Sequence, residues 1–223
     1  MKKSIKLAVV ILSVAIGIVV LWVAARYTHV FETYNISTTS NRPTFEPNTM
    51  VYASRLKKPD YNSFVVFKQA NGDVWVFRCI AKGGDMVEMR NTKVYLNGKL
   101  LYEPYAYNEY YISQKQLDSI AGYIEQYKYP VRALTDSIRT IEMTANDVKN
   151  YHLNLKLATE PKGSPDKNIF GDFQVLKYNV DNIGPIKVPE NTYFLLGDDR
   201  HNAMDSRYIG FISKNDVIST VIN

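Results

Sequence analysis

The sequence predicts a mainly β protein carried behind one amino-terminal membrane helix: an antiparallel β body with a polar α+β cap inserted into it. Three observations point there. An uncharged apolar run fills Leu7 to Ala25. Apolar and polar residues alternate, with Val, Tyr, Phe and Trp enrichment, from Thr49 to Leu101. After a polar, Tyr-rich middle the strand texture returns beyond Ile183.

The apolar run reads LAVVILSVAIGIVVLWVAA, and as a helix rising ~1.5 Å per residue it would span about 28 Å, enough to cross a bilayer once. Lys2, Lys3 and Lys6 precede it and only Arg26 follows closely. The excess of positive charge on cytoplasmic flanks places residues 1–6 inside, 7–25 in the membrane and the rest outside, with Trp22 and Tyr27 at the outer interface and His29 just beyond it. A cleaved signal peptide is the rival reading, since Val23 and Ala25 give a small-residue pattern. Retention is favoured because the run exceeds the ~7 to 15 residues of a usual signal-peptide core.

The strands are expected within TMVYASRL, SFVVFKQ, DVWVFRCIAK, DMVEM and KVYLNGKLL. Asn71-Gly72 and Asn97-Gly98 fall between apolar runs, where a tight hairpin needs positive φ. Gly83-Gly84-Asp85 reads as a tight turn rather than a phosphate cradle, because no helix follows it. Residues 102–182 form the cap, with a helix start at Thr144 to Asp147 ahead of VKNYHLNLKL, and His152 exposed on it. The β core is then 26–101 together with 183–223, the last part closing with FISKNDVISTVIN.

Composition removes several classes of function. Lys and Arg number 27 against 22 Asp and Glu, and the three lysines before the apolar run supply most of the excess. No basic block with interleaved aromatics appears, so nucleic acid is not an expected partner. Cys79 stands alone, which excludes an intramolecular disulfide and a thiolate metal cluster. No cofactor and no metal are expected.

Three stretches carry the candidate chemistry: ISTTSNRPTF (36–45), VFRCIAKGGDMVE (76–88) and GDDRHNAMDSRYIGF (197–211). In this order, behind an inward-anchored span, they resemble the sequence boxes of bacterial type I signal peptidases, membrane-anchored serine endopeptidases that use a Ser/Lys dyad. The resemblance implies that Ser40, three residues before Pro43-Thr44, is the nucleophile. It also implies that Thr38 and Ser40 help bind the oxyanion. The family's methionine after the serine is Asn41 here. The base lysine falls on Phe77, which can accept no proton, and the serine that orients that lysine falls on Ala203. Arg78, Asp205 and Arg207 are kept as structural support, with Arg78 expected to pair with Asp205.

A serine hydroxyl needs a base to become a nucleophile. His201 lies in the third stretch. Lys82 shares a strand face with Arg78 but lies roughly 13 Å further along at ~3.3 Å per residue, and Lys68 belongs to a neighbouring strand. The resemblance therefore supports two functions. One is a non-catalytic relative that binds signal-peptide cleavage regions of translocated preproteins; the other is an active peptidase using Ser40 and a substitute base. A weaker third reading makes the Tyr-rich cap a partner-recognition surface. A cytoplasmic self-cleaving repressor of similar fold is disfavoured by the anchor. The expected partners are signal peptides, the lipid bilayer of a bacterial plasma membrane, and secretion machinery or an active paralogue.

Overall fold

The computed structural model describes residues 2–28, 30–135 and 137–222, so His29 lies outside the described residues. Helix α1 (Lys2–Tyr27) is apolar on all sides and makes no buried contact with the body over its apolar length. A helix satisfies all of its own backbone groups, which is the requirement for a lone segment in hydrocarbon. Arg26 folds back over the Trp22 ring, 5.4 Å from its centroid, and leaves Tyr27 exposed at the end of the span.

The body follows in chain order: β1 (Glu32–Ile36), β2 (Thr49–Ser54), β3 (Phe64–Lys68), β4 (Val74–Lys82), β5 (Met86–Arg90), β6 (Lys93–Leu96) and β7 (Lys99–Leu100). Next come β8 (Tyr107–Ile112), α2 (Gln114–Ser119), α3 (Ala121–Tyr127), β9 (Val131–Ala133), β10 (Arg139–Thr144), α4 (Ala145–Asn150), β11 (Lys156–Leu157) and α5 (Gly171–Val175). The chain closes with β12 (Ile183–Lys187), β13 (Thr192–Leu196), α6 (Ser206–Ile209), β14 (Ile212–Ser213) and β15 (Val217–Val221). The largest sheet runs β1-β2-β15-β3-β4-β13-β14, a second runs β12-β5-β6-β7, and a third runs β11-β8-β10-β9; every strand pairing is antiparallel.

The outer strand β2 keeps one face buried, whereas the central strands β3 and β4 are buried on both faces over most of their length. In β2, Val51 and Ala53 face a core of Ile36, Phe64, Val66 and Val221, while Met50 and Tyr52 stay exposed. Strand β1 had no sequence signal of its own; its polar ETYNI is held by its register against β2. Asn97 and Gly98 both take positive φ between Leu96 and its partner Lys99, the two-residue turn whose twist suits a hairpin. Thr144 caps α4 by accepting the Asp147 amide, and Ser113 closes a reciprocal capping box with Gln116 on α2.

The polar middle is richer in strand than its texture suggests. Strands β8 to β11 build their own sheet over a core of Tyr107, Tyr110, Ile112, Leu117, Ile120, Tyr129, Ile141 and Met143. Its tyrosines fold because the rings pack while the hydroxyls find partners, as Tyr129 and Tyr151 do at 3.1 Å. The segment is seated on the main body by Glu103, whose carboxylate meets the fully buried Arg200 at 2.6 Å, and by a bridge between Tyr107 and Asp199.

Candidate active site

Ser40 sits in the turn between β1 and β2, held from two sides. Its carbonyl accepts the Asp199 amide at 3.0 Å, and its hydroxyl donates to the Asn202 carbonyl at 2.9 Å. Thr38 Oγ1 donates to Ser40 Oγ at 3.3 Å. Both hydroxyls open into a cleft of about 1120 Å³ whose walls include Ile36, Trp75, Phe77, His201 and Ala203.

The three sequence stretches meet at Gly197. A Cβ placed on that residue would lie 2.4 Å from Ala203 Cβ, 2.6 Å from Ser40 O and 3.3 Å from Phe77 Cε1. Only a glycine leaves room for the three to approach one another. Ser40, Phe77 and Ala203 are therefore neighbours despite their separation in sequence. Phe77 is buried against Phe67 and Trp75, with ring centroids 6.0 Å away in each case. Its surroundings are apolar, and among the described residues Ser40 Oγ has no basic nitrogen as a hydrogen-bond partner.

The expected pairing of Arg78 with Asp205 is corrected. Arg78 grips Asp198 with two bonds, Nε to Oδ1 at 2.7 Å and Nη2 to Oδ2 at 2.5 Å. The guanidinium lies between the rings of Phe64 and Tyr105, 4.3 and 3.7 Å from their centroids, and also donates to Thr44 at 3.1 Å. Thr44 donates to Asp198 in turn, so Pro43-Thr44 is tied to the same pair. Asp205 instead holds Arg207 at 2.8 and 2.9 Å, caps α6 and accepts the Gly197 amide at 3.0 Å. The reason is strand register: Leu196 lies opposite Arg78, so the chain leaving β13 brings Asp198 to the guanidinium, while the following loop turns Asp205 towards its own helix. Asp198 was the anchor that sequence reasoning missed, and its signal was its place two residues beyond the end of a strand that neighbours β4.

The substitute bases separate clearly. Lys82 is held by Asp60 at 2.8 Å and lies over the Tyr61 ring, outside the cleft. Lys68 does not line the cleft either. His201 does, with Nε2 3.3 Å from Asp181 Oδ1 and Nδ1 buried without a partner among the described residues. Cys79 is buried, and burial pushes its thiol up to about 12, so it stays protonated.

Behind Ser40 lies an acidic group that no strand pattern revealed. Asp199 is pushed up to about 7 by burial first and by the nearby Glu142 second, against the pull of His201, Asn202 and Arg42. Burial also raises Glu142. A carboxyl raised from 3.8 to about 7 favours folding while it is protonated, and this contribution is lost as pH rises through that window. Asp199→Asn does not titrate. Its melting temperature relative to the unmodified chain should therefore climb between about pH 4 and 7 and level off above, by on the order of 5 °C. Parallel melting profiles across that range would disprove the assignment.

The structure thus brings Ser40, Thr38, Phe77 and Ala203 to one open cleft on a β body behind an apolar helix. The chain matches the family described as signal peptidase, peptidase S26, over residues 7–222, and it belongs to that family. It is 26% identical to signal peptidase I of Bacillus amyloliquefaciens over 199 residues, which is 85% of this chain and 71% of that protein. It is 25% identical over 215 residues to signal peptidase IB of Staphylococcus aureus strain Mu50, 95% of this chain and 85% of that protein. A crystal structure of a signal peptidase I from Enterococcus faecalis V583 aligns at 21% identity and a TM-score of 0.37, over 75% of this chain and 98% of that one.

Proposed function

We propose that this protein binds the cleavage regions of signal peptides on translocated preproteins, with proteolysis lost or greatly reduced. The observation that carries the reading is the Ser40 hydroxyl, which donates to a backbone carbonyl and shares its cleft with Phe77 where a base should be. Deprotonation of a serine by a neighbouring amine needs that amine within hydrogen-bond reach. The binding half of the site is supported by the free edge of β4. Strand β13 pairs with β4 only from Arg78 to Lys82, which leaves Val74 to Phe77 open along the cleft. An extended peptide adds to such an edge through backbone hydrogen bonds, and side-chain pockets supply selectivity. The protein works at a membrane surface, anchored by α1 with residues 1–6 in the cytoplasm and the body outside, where secretion machinery or an active paralogue would complete processing.

The test is a preprotein cleavage assay on the full chain beside its Ser40→Ala form, together with titration of a synthetic cleavage-region peptide. Binding without turnover by either form is the expected result. A second reading is favoured by one observation: His201, whose Nε2 lies 3.3 Å from Asp181 Oδ1, lines the same cleft as Ser40. If the unmodified chain cleaves preproteins, and both Ser40→Ala and His201→Gln abolish cleavage, the protein is an active signal peptidase with a rerouted base.

A further inference from the structure

The open edge of β4 is not bare. Cys79 exchanges hydrogen bonds with the turn before β3, its amide donating to Ser63 O and its carbonyl accepting from Asn62 N, both at 2.8 Å. Amides alternate sides along a strand, so Val74 and Val76 aim theirs the other way, into the cleft. An arriving peptide strand would find the Val76 carbonyl as its acceptor. That carbonyl is already taken: Asn41 Nδ2 donates to it at 2.8 Å.

Asn41 adjoins Ser40, lines the same cleft and is only 3% exposed. Its backbone carbonyl is occupied by the Phe45 amide, yet its side-chain Oδ1 is buried with no partner among the described residues. A buried amide oxygen without a donor is costly, and in native proteins it calls for an explanation. An asparagine amide has the donor and acceptor arrangement of a peptide group. With Nδ2 fixed on Val76, Oδ1 is left beside the strand edge as a buried acceptor without a donor, which an arriving peptide must uncover to use.

We propose that Asn41 is a peptide-binding residue whose Oδ1 receives one backbone N–H of the bound peptide in place of the Val76 carbonyl. The inference rests on the peptide-binding reading given above and deepens it. Asn41 lengthens the hydrogen-bonding edge by one side-chain amide. It thereby sets how far from Ser40 the peptide backbone runs and which of its amides is engaged.

The two roles open to this side chain predict opposite signs. If Oδ1 accepts from the peptide, Asn41→Leu, alike in branched shape but without either amide atom, weakens binding about tenfold. If the side chain only obstructs Val76, the same substitution strengthens binding. The experiment titrates a signal-peptide cleavage-region peptide, and a set methylated at one backbone nitrogen each, into the full chain in lipid nanodiscs. One methylation should weaken binding to the unmodified protein about tenfold and have no further effect on Asn41→Leu. Equal or tighter binding by Asn41→Leu, or the same methylation losses in both proteins, overturns the proposal. A melting curve shows whether Asn41→Leu is folded. Should it not be, the methyl series on the unmodified chain decides, because absence of any sensitive nitrogen rejects the proposal. No binding by the unmodified protein refutes the peptide-binding reading itself, and this inference with it.

Discussion

Phe77→Lys combined with Ala203→Ser should convert the protein from negligible to measurable cleavage of a signal-peptide substrate. Losing one member of a nucleophile and base unit costs on the order of 10⁴ to 10⁶ in rate, which leaves room for a large recovery. The structure favours the repair. Phe77 is 5% exposed among Phe67, Trp75 and Ala203, and a lysine there would lose solvation, which lowers an ammonium pKa towards the range of a useful base. Ala203 abuts the same point beside Gly197, so a serine hydroxyl at 203 would reach the new amine and orient it. Phe77→Lys alone should recover less. Removing the Phe77 ring also empties volume that Phe67 and Trp75 now pack against, and recovery should fall short of an intact enzyme. Turnover by the unmodified protein equal to that of the double variant would sink the explanation.

Asp198→Asn should be among the most destabilising single substitutions outside the apolar core. It leaves the Arg78 guanidinium buried without its counter-charge and puts a donor in place of one of the two oxygens that accept from Arg78 and Thr44, so the turn carrying Ser40 loosens with it. Breaking one partner of a buried pair costs about 3–5 kcal/mol. For a chain of this size that lowers the melting temperature by on the order of 10 °C. Glu46→Gln gives the contrast, because the Arg42–Glu46 pair is solvent-exposed on the glutamate side and such pairs contribute about 0–1 kcal/mol. A double-mutant cycle on positions 78 and 198 should show strong coupling, whereas a cycle on 78 and 205 should be near additive. Coupling of 78 to 205 instead would contradict the observed pairing.

Residue patterns of short range were legible in the sequence. The uncharged run became α1, the period-two alternation became β2 to β6, and Asn97-Gly98 took the positive φ that its hairpin demands. The Thr144 to Asp147 start signal became the capped α4. In each case the determining physics is local: hydrophobic period, backbone sterics, or a side chain capping its own helix. Strand β1 was not legible, because ETYNI has no strong alternation and is a strand only by virtue of β2 beside it. The strands of the expected α+β cap could not be placed in the sequence for a related reason, since its tyrosines read as polar but pack as core.

For the candidate site, the sequence determined which residues are present: Ser40 and Thr38 in one stretch, an apolar Phe77 before Arg78, and Ala203 ahead of Asp205. In the structure Ser40, Phe77 and Ala203 meet around Gly197. What only the tertiary structure decided was partnership. Three carboxylates lie within GDDRHNAMD, and nothing in their spacing says which faces Arg78; the register of β13 against β4 brings Asp198 there and hands Asp205 to Arg207. The same holds for Ser40, whose hydroxyl is claimed by a carbonyl far along the chain, and for Asn41, whose amide meets Val76 only because two distant strands enclose one cleft. Hydrogen-bond and charge partners across a sheet depend on a register that many weak contacts fix together, and no short window of residues contains it.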